Sequence, residues 1–295
     1  MKASQGMNAG AIGLGLAFAF MWSSAFTSAR VIVEYAPPLA SLSLRFLVSG
    51  LLGVMIARML GQSFRLTSAQ WRATVIFGIC QNALYLGLNF VAMQWVEASL
   101  ASIIASTMPL MVAIAGFVVF RDRLSPLALA GLALGIIGVV LIMGARIGAG
   151  VDLLGVALCF IAAAALTVAT LAVRGASSGG NVMMIVGLQM LIGSVVLAVP
   201  SALFEPLEVT WSWQLLVAFA YTTLVPGLAA TWVWFTLVNR IGAVKAATFH
   251  FLNPFFGVAI AAVLLGERLG VTDVVGVVVI AAGILAVQLS KQKPV

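Results

Sequence analysis

Apolar residues in this chain come in long runs, separated by short polar or Gly/Pro-rich breaks, and the runs recur ten times. They cover Gly10–Val33, Leu39–Leu60, Ala69–Gln94, Leu100–Phe120 and Leu127–Gly144. A second set covers Leu153–Val173, Val182–Leu203, Leu215–Val238, Ala246–Leu265 and Val271–Leu289. Each is near the roughly 20 residues that an α-helix needs to cross bilayer hydrocarbon. The breaks fall at Pro37-Pro38, Gly61, Ser125-Pro126, Gly148–Gly150, Ser177–Gly180 and Pro206, all residue types that punctuate helices. The pattern predicts an all-α membrane protein of ten transmembrane helices. Lys2 precedes the first run, as in a signal peptide. That run is longer than a signal core and nine more follow it, so it reads as a span.

Composition removes the soluble alternative. Hydrophobic residues make up 63% of the 295 and charged residues 8%, against about 45–50% and about 25% in a soluble domain. Cys80 and Cys159 both fall inside apolar runs and imply neither a disulfide framework nor a metal site.

Charge placement predicts orientation. With a cytoplasmic N-terminus, the inner segments hold Lys2, Arg58, Arg65, Arg72, Arg121, Arg123, Arg174, Arg240, Lys245, Lys291 and Lys293. The outer segments hold Arg30, Arg146 and Arg268, while Arg45 lies within the second span. Eleven against three is the asymmetry of the positive-inside rule, so both termini are expected in the cytoplasm. The net charge of +7 is used in topology. No basic patch gathers with exposed aromatics, which argues against nucleic acid as a partner.

The chain also repeats itself. At a shift of 145, Pro109 meets Pro254, Asp122-Arg123-Leu124 meets Glu267-Arg268-Leu269, Gly131 meets Gly276 and Gly138 meets Gly283. Ala98 and Ala101 meet Ala243 and Ala246. Near the start of each half the shift is 142, aligning Gly13 with Gly155 and Phe18 with Phe160. The expected domains are two five-helix repeats, residues 1–148 and 149–295. An odd number of spans makes the second copy enter the membrane from the opposite side, so the repeats are expected to be inverted. In transporters of that design the substrate sits between the repeats near the midplane. The plainer reading is a duplication that merely made a stable bundle.

Several local patterns resemble the drug/metabolite transporter superfamily, and within it the ten-helix EamA-type exporters. Trp22-Ser23-Ser24-Ala25-Phe26 is similar to that family's first-helix W-G-S-x-F signature, with Ser23 in the usual Gly position. Pro37-Pro38 with Leu44-Arg45-Phe46 resembles its second-helix pattern. Ala98-Ser99-Leu100-Ala101, Pro109-Leu110, Arg123-Leu124, Gly131 and Gly138-Val139 continue the likeness. The second half is closer still, with Trp232, Arg240-Ile241-Gly242-Ala243, Pro254, Leu265-Gly266-Glu267-Arg268-Leu269, Gly276 and Gly283. Arg121-Asp122 departs from the Gly-Glu more usual there. The resemblance implies efflux of small metabolites across the bacterial inner membrane by alternating access, and more narrowly resembles the exporters of aromatic amino acids.

Polar groups inside a membrane are costly, so their helix faces point to a path. On the third span Gly78, Gln81, Asn82, Tyr85 and Asn89 share one arc, and it either lines a wet path or glues helices together. On the first, Gly15, Ala19, Trp22, Ser23, Phe26 and Arg30 share another. Trp22 either stacks on a ligand or packs in the core. Arg30 is expected to pair with Glu34 one turn on, and Arg45 to snorkel outward or pair. On the ninth, Ala246, Phe249, His250, Asn253 and Gly257 group together, and His250 is either a proton-coupling group or a satisfied interhelical histidine. Trp232 joins the candidate path on the eighth span, whereas Trp234 is expected to face lipid. In the sixth span Cys159, Phe160 and Thr167 are weaker candidates.

Pro109 and Pro254 are expected hinges, each freeing a backbone carbonyl. Gly131, Gly135 and Gly138 on the fifth span, with Gly276 and Gly283 on the tenth, mark close bundle or dimer contacts.

The expected partners are a small-molecule substrate, an amino acid or similar, and the lipid bilayer. No cofactor or metal is implied, since one histidine cannot build a typical zinc site. No intramembrane aspartate pair or catalytic motif supports an enzyme. A channel remains the rival to a carrier.

Overall fold

The computed structural model describes residues 9–172 and 179–290. Lys2, Val173, Arg174, Ser177, Lys291 and Lys293, which carried part of the sequence argument, lie outside them. Among the described residues there is no strand, and ten helices are long and apolar enough to cross a membrane. They are α1 Ala9–Tyr35, α2 Pro38–Met59, α3 Ser68–Ala92, α4 Ala98–Phe120 and α5 Pro126–Gly148. Then come α6 Leu153–Ala172, α7 Val182–Phe204, α8 Trp213–Val238, α9 Lys245–Leu265 and α10 Val271–Ser290. The protein is a multi-pass membrane protein.

Short polar signals start and stop these helices. Thr67 and Gln70 form a capping box at the start of α3, satisfying two orphan donors reciprocally. The Ser125 hydroxyl accepts from Ala128 N at the start of α5, and the Ser212 hydroxyl accepts from Leu215 N at the start of α8. α4 and α9 both end on a left-handed residue, Arg121 at φ 56° and Gly266 at φ 69°. That conformation is ordinary for Gly266 and strained for Arg121.

Four spans are not continuous α-helix, and their breaks correspond. A π-helical segment interrupts α3 at Gly78–Leu86 and α8 at Thr223–Ala229. α4 breaks at Thr107 and restarts at Met108. α9 passes through a 3-10 turn at Thr248–Leu252 and restarts at Asn253. Met108 and Asn253 are 145 residues apart. So are Ser68 and Trp213, Pro126 and Val271, and the left-handed pair Arg121 and Gly266. The breaks therefore recur at the same shift of 145 that relates the two halves of the sequence.

Pro109 and Pro254 lie in the first turn of their restarted helices, where no N–H is needed. The carbonyl expected to be freed below Pro254, that of His250, is taken instead by Asn253 N. The tighter 3-10 turn uses it up.

The chain divides into two compact units, each drawing on both halves of the sequence. One comprises Met1–Thr27, Glu97–Leu153 and Val225–Val295, the other Ser28–Val96 and Leu154–Leu224.

In the second unit α2 and α7 pack antiparallel. Ser43 Oγ donates to Ser194 O at 2.9 Å, and Ser194 Oγ donates back to Ser43 O at 2.8 Å. One turn or two away the backbones almost touch, since a Cβ on Gly187 would lie 2.7 Å from Val54 N and 3.0 Å from Gly50 O. Both ends are stapled. Glu205, just past α7, accepts from Leu39 N and Ala40 N at 2.7 and 2.9 Å. Gln62, just past α2, accepts from Met184 N at 3.0 Å. A carboxylate at a helix N-terminus satisfies orphan N–H groups and complements the helix dipole.

In the first unit α5 and α10 pack antiparallel through the glycines singled out in the sequence. A Cβ on Gly283 would lie 2.6 Å from Gly131 O, and one on Gly138 would lie 2.9 Å from Gly276 O. Arg146, near the end of α5, donates to both oxygens of Asp273 at 3.1 and 3.0 Å, and to Glu97 at 2.5 Å. Glu267 caps the start of α4 through Ala98 N and Ser99 N at 2.8 and 3.0 Å. These contacts lie between segments that charge placement assigned to one side of the membrane.

Gly283→Ala should lower stability by about 1–3 kcal/mol, because the new methyl meets backbone rather than a movable side chain. Gly144→Ala, on α5 with nothing within 4 Å of its Cβ position, should be neutral or slightly stabilising, since Ala favours a helix over Gly by about 1 kcal/mol. Thermal melts of the two purified variants check this.

Candidate functional site

The sequence-predicted path residues separate into two groups, one in each compact unit. In the first unit α1, α8 and α9 bring four rings together. Phe18 lies 4.8 Å from Trp234, 5.3 Å from His250 and 5.7 Å from Trp22, centroid to centroid. Trp234 and Trp22 approach His250 to 5.4 and 6.5 Å. The His250 ring stands at 89° to Phe18 and 88° to Trp22, the T-shaped arrangement that ring quadrupoles favour.

His250 Nδ1 lies 2.9 Å from Asn253 Nδ2. Ser23, fully buried, donates to Asn253 O at 3.1 Å and ties α1 to the restart of α9. Asn253 Oδ1 is buried without a hydrogen-bond partner.

Not every candidate joins this cluster. Phe249 is buried in the neighbouring core with Ala11, Leu237 and Ala246. Its ring fills the space over Gly15, where a Cβ would lie 2.2 Å from it. Phe26 is buried on α1.

Of the two α8 tryptophans, Trp234, expected to face lipid, is the inward-packed one. Trp232 is 63% exposed, while Trp234 packs against Phe18 and His250. A π segment adds a residue to a turn, which turns every later side chain by about 100°. The π segment at Thr223–Ala229 therefore breaks any helical phase carried across Pro226-Gly227. Phe18 entered the sequence reading only as a repeat match, although its place one turn before Trp22 was the available signal.

In the second unit the α3 stripe divides. Asn82 is buried and donates to Gln189 O on α7 at 2.8 Å, a structural link. Asn89 donates to Tyr85 O at 2.8 Å, satisfying a carbonyl at the end of the π segment. Its Oδ1 is buried and unpartnered. Tyr85 is buried and Gln81 half-buried. Cys159 and Thr167 are buried on α6, and Phe160 is half-buried.

The two arginines named near the path differ. Arg30 pairs with Glu34 at 3.4 Å, as expected, and also donates to Met93 O. Arg45 neither snorkels nor pairs: it is 5% exposed, and its Nε is buried without a partner.

Ten spans, with breaks at corresponding points of a duplicated chain and polar and aromatic side chains gathered at those breaks, define a helical membrane transporter. The family comparison makes this specific. The EamA-like transporter family model matches residues 9–144 and again 153–289. The chain belongs to that family, within the drug/metabolite transporter superfamily.

The chain is similar to the uncharacterized transporter YvbV of Bacillus subtilis, at 26% identity over 90% of this chain and 88% of that one. It is also similar to a protein of Escherichia coli and one of Salmonella typhimurium, each named a probable amino-acid metabolite efflux pump. Both are 27% identical over 92% of each chain. A crystal structure at 18% identity superposes with a TM-score of 0.70, covering 97% of this chain and 100% of the other, which shows the shared fold.

Replacing Trp234 with Ala should lower stability by about 1–3 kcal/mol through lost packing and aromatic contacts. Replacing Trp232 should leave it within about 0.5 kcal/mol. Thermal melts in detergent distinguish the two faces, and equal losses would contradict this difference in packing.

Proposed function

We propose that this protein exports small metabolites across the bacterial inner membrane, with neutral and aromatic amino acids as its first substrates. Its two halves are inverted five-helix copies that alternate access to a path between them, with both termini in the cytoplasm. Inversion is supported by the antiparallel pairing of corresponding spans, α2 with α7 and α5 with α10, through contacts that are themselves paired. Ser43 faces Ser194 where Gly50 faces Gly187, and Gly131 faces Gly283 where Gly138 faces Gly276.

The observation that carries the substrate reading is the ring cluster around His250. It offers aromatic surface and a polar N–H without a fixed charge. A permanent cation is ordinarily met by an acid or an aromatic cage around it. The carboxylates of this chain are instead engaged near the ends of spans: Glu205 and Glu267 cap helices, and Glu97 and Asp273 hold Arg146. An aromatic zwitterion asks for apolar contact along its side chain and dipoles at its ends. The names of the two efflux-pump relatives point to the same substrate class. Selectivity among side chains should be broad, because an apolar site separates them by only about 1–3 kcal/mol per methylene.

Proteoliposomes holding the protein should show saturable counterflow of labelled phenylalanine, which a channel does not give. Cells expressing it should tolerate toxic phenylalanine or tryptophan analogues better than controls. Movement of organic cations or sugar phosphates alone would overturn the substrate reading.

A topology reporter fused to the C-terminus should be active in the cytoplasm. Activity on the outer side would defeat the inverted arrangement.

A further inference from the structure

Arg45 is the one guanidinium that the packing of α2 draws fully inside. It lies on the buried face of that helix with Leu42, Phe46 and Ser49, turned from the exposed Leu44, Leu47 and Leu51. Its only contact of note is with the adjacent Phe46 ring, 5.2 Å away. Among the described residues it makes no hydrogen bond and no ion pair. Ser49, one turn further along the same face, is fully buried and its hydroxyl is also unpartnered. Residues four apart on a helix lie one above the other, so a charged donor and a neutral donor stand in one row without an acceptor.

Among the described residues no acidic side chain supplies the missing countercharge. All eight acidic residues fall within the described segments, and none is within ion-pair distance of Arg45. In its own unit Glu34 pairs with Arg30, Glu205 caps α2, and Glu208 is exposed. Burying an ionised group without a partner is among the costliest arrangements a fold can hold, and inside a membrane such a residue marks function by default.

We propose that Arg45, assisted by Ser49, is the binding residue for the carboxylate of the transported solute. A planar guanidinium matches a carboxylate through two parallel N–H···O bonds, and the Ser49 hydroxyl donates a further one. The burial of Arg45 away from the exposed face of α2 favours a solute carboxylate over a lipid phosphate. Taking that solute to be an amino acid rests on the function proposed above. The requirement for a carboxylate does not.

The test uses the purified full-length protein and four ligands that share one ring: phenylalanine, 3-phenylpropionate, phenylalaninamide and phenethylamine. Thermal stabilisation is measured for wild type, Arg45→Gln and Arg45→Lys, in detergent and in nanodiscs of neutral or anionic lipid. Wild type should be stabilised by the carboxylates and not by the amide or the amine. Arg45→Gln should weaken carboxylate binding about ten- to a hundredfold, the usual effect of losing a charged hydrogen-bond partner. Arg45→Lys should retain part of it. Without ligand, Arg45→Gln should melt at or above wild type, because it removes an uncompensated buried charge.

Four results would each overturn the proposal: equal carboxylate binding by Arg45→Gln, no carboxylate binding by wild type, stabilisation by anionic lipid in place of carboxylates, or a ligand-free Arg45→Gln melting far below wild type. If 3-phenylpropionate binds through Arg45 while phenylalanine is neither bound nor moved, the proposal stands and the amino-acid reading falls. If phenylalanine moves equally well through wild type and Arg45→Gln, the reverse holds.

Discussion

In hydrocarbon there is no water to accept a stray backbone hydrogen bond, and the rest of this structure follows from that constraint. Ten spans must be helical, and every departure from α-helix must be repaired within the protein. The repairs are visible at the breaks. Asn89 supplies a donor to Tyr85 O after the first π segment. Thr222, Thr223 and Thr231 return hydroxyls to the carbonyls of Ala218, Phe219 and Gly227 around the second. Ser106 and Thr107 do the same at the break in α4. At the 3-10 turn the geometry itself tightens to use the carbonyl that Pro254 cannot reach.

Such breaks are costly, so their location is informative. They occur on α3 and α8 and on α4 and α9, at corresponding points of the two halves. The continuous spans α2, α5, α7 and α10 do the opposite work. They pack as antiparallel pairs whose glycines let backbones approach until no side chain fits between. Rigid pairs stapled at their ends by Glu205, Gln62 and Arg146 give each unit a frame. The polar and aromatic candidates lie on the broken helices and on α1, apart from Cys159, Phe160 and Thr167 on the continuous α6.

Charged groups follow the same division. Arg30, Glu34, Glu97, Arg146, Glu205, Glu267 and Asp273 are held near helix ends by caps and ion pairs. Arg45 differs from these: it is buried, and among the described residues no acidic side chain meets it. A solute carboxylate as its partner is the reading proposed above, and it fits a protein whose work is to hold a solute briefly and release it.

The sequence by itself determined the all-α class and the ten spans nearly to their ends. Those features rest on local physics: span length against bilayer thickness, and Pro and Gly where helices stop. It also named the glycines of α5 and α10 and the Arg30–Glu34 pair, which follow from helical spacing alone. Only the tertiary structure decided which tryptophan of α8 meets His250, because a π segment shifts the helical phase and no 3.6-residue wheel carries across it. Only the tertiary structure decided that Asn82 binds the α7 backbone and that Phe249 fills the space over Gly15. It alone decided that Arg45 goes unpaired, for a partner is a relation between distant segments. The pattern of residues along one helix records what that helix must bury, and not what it will be buried against.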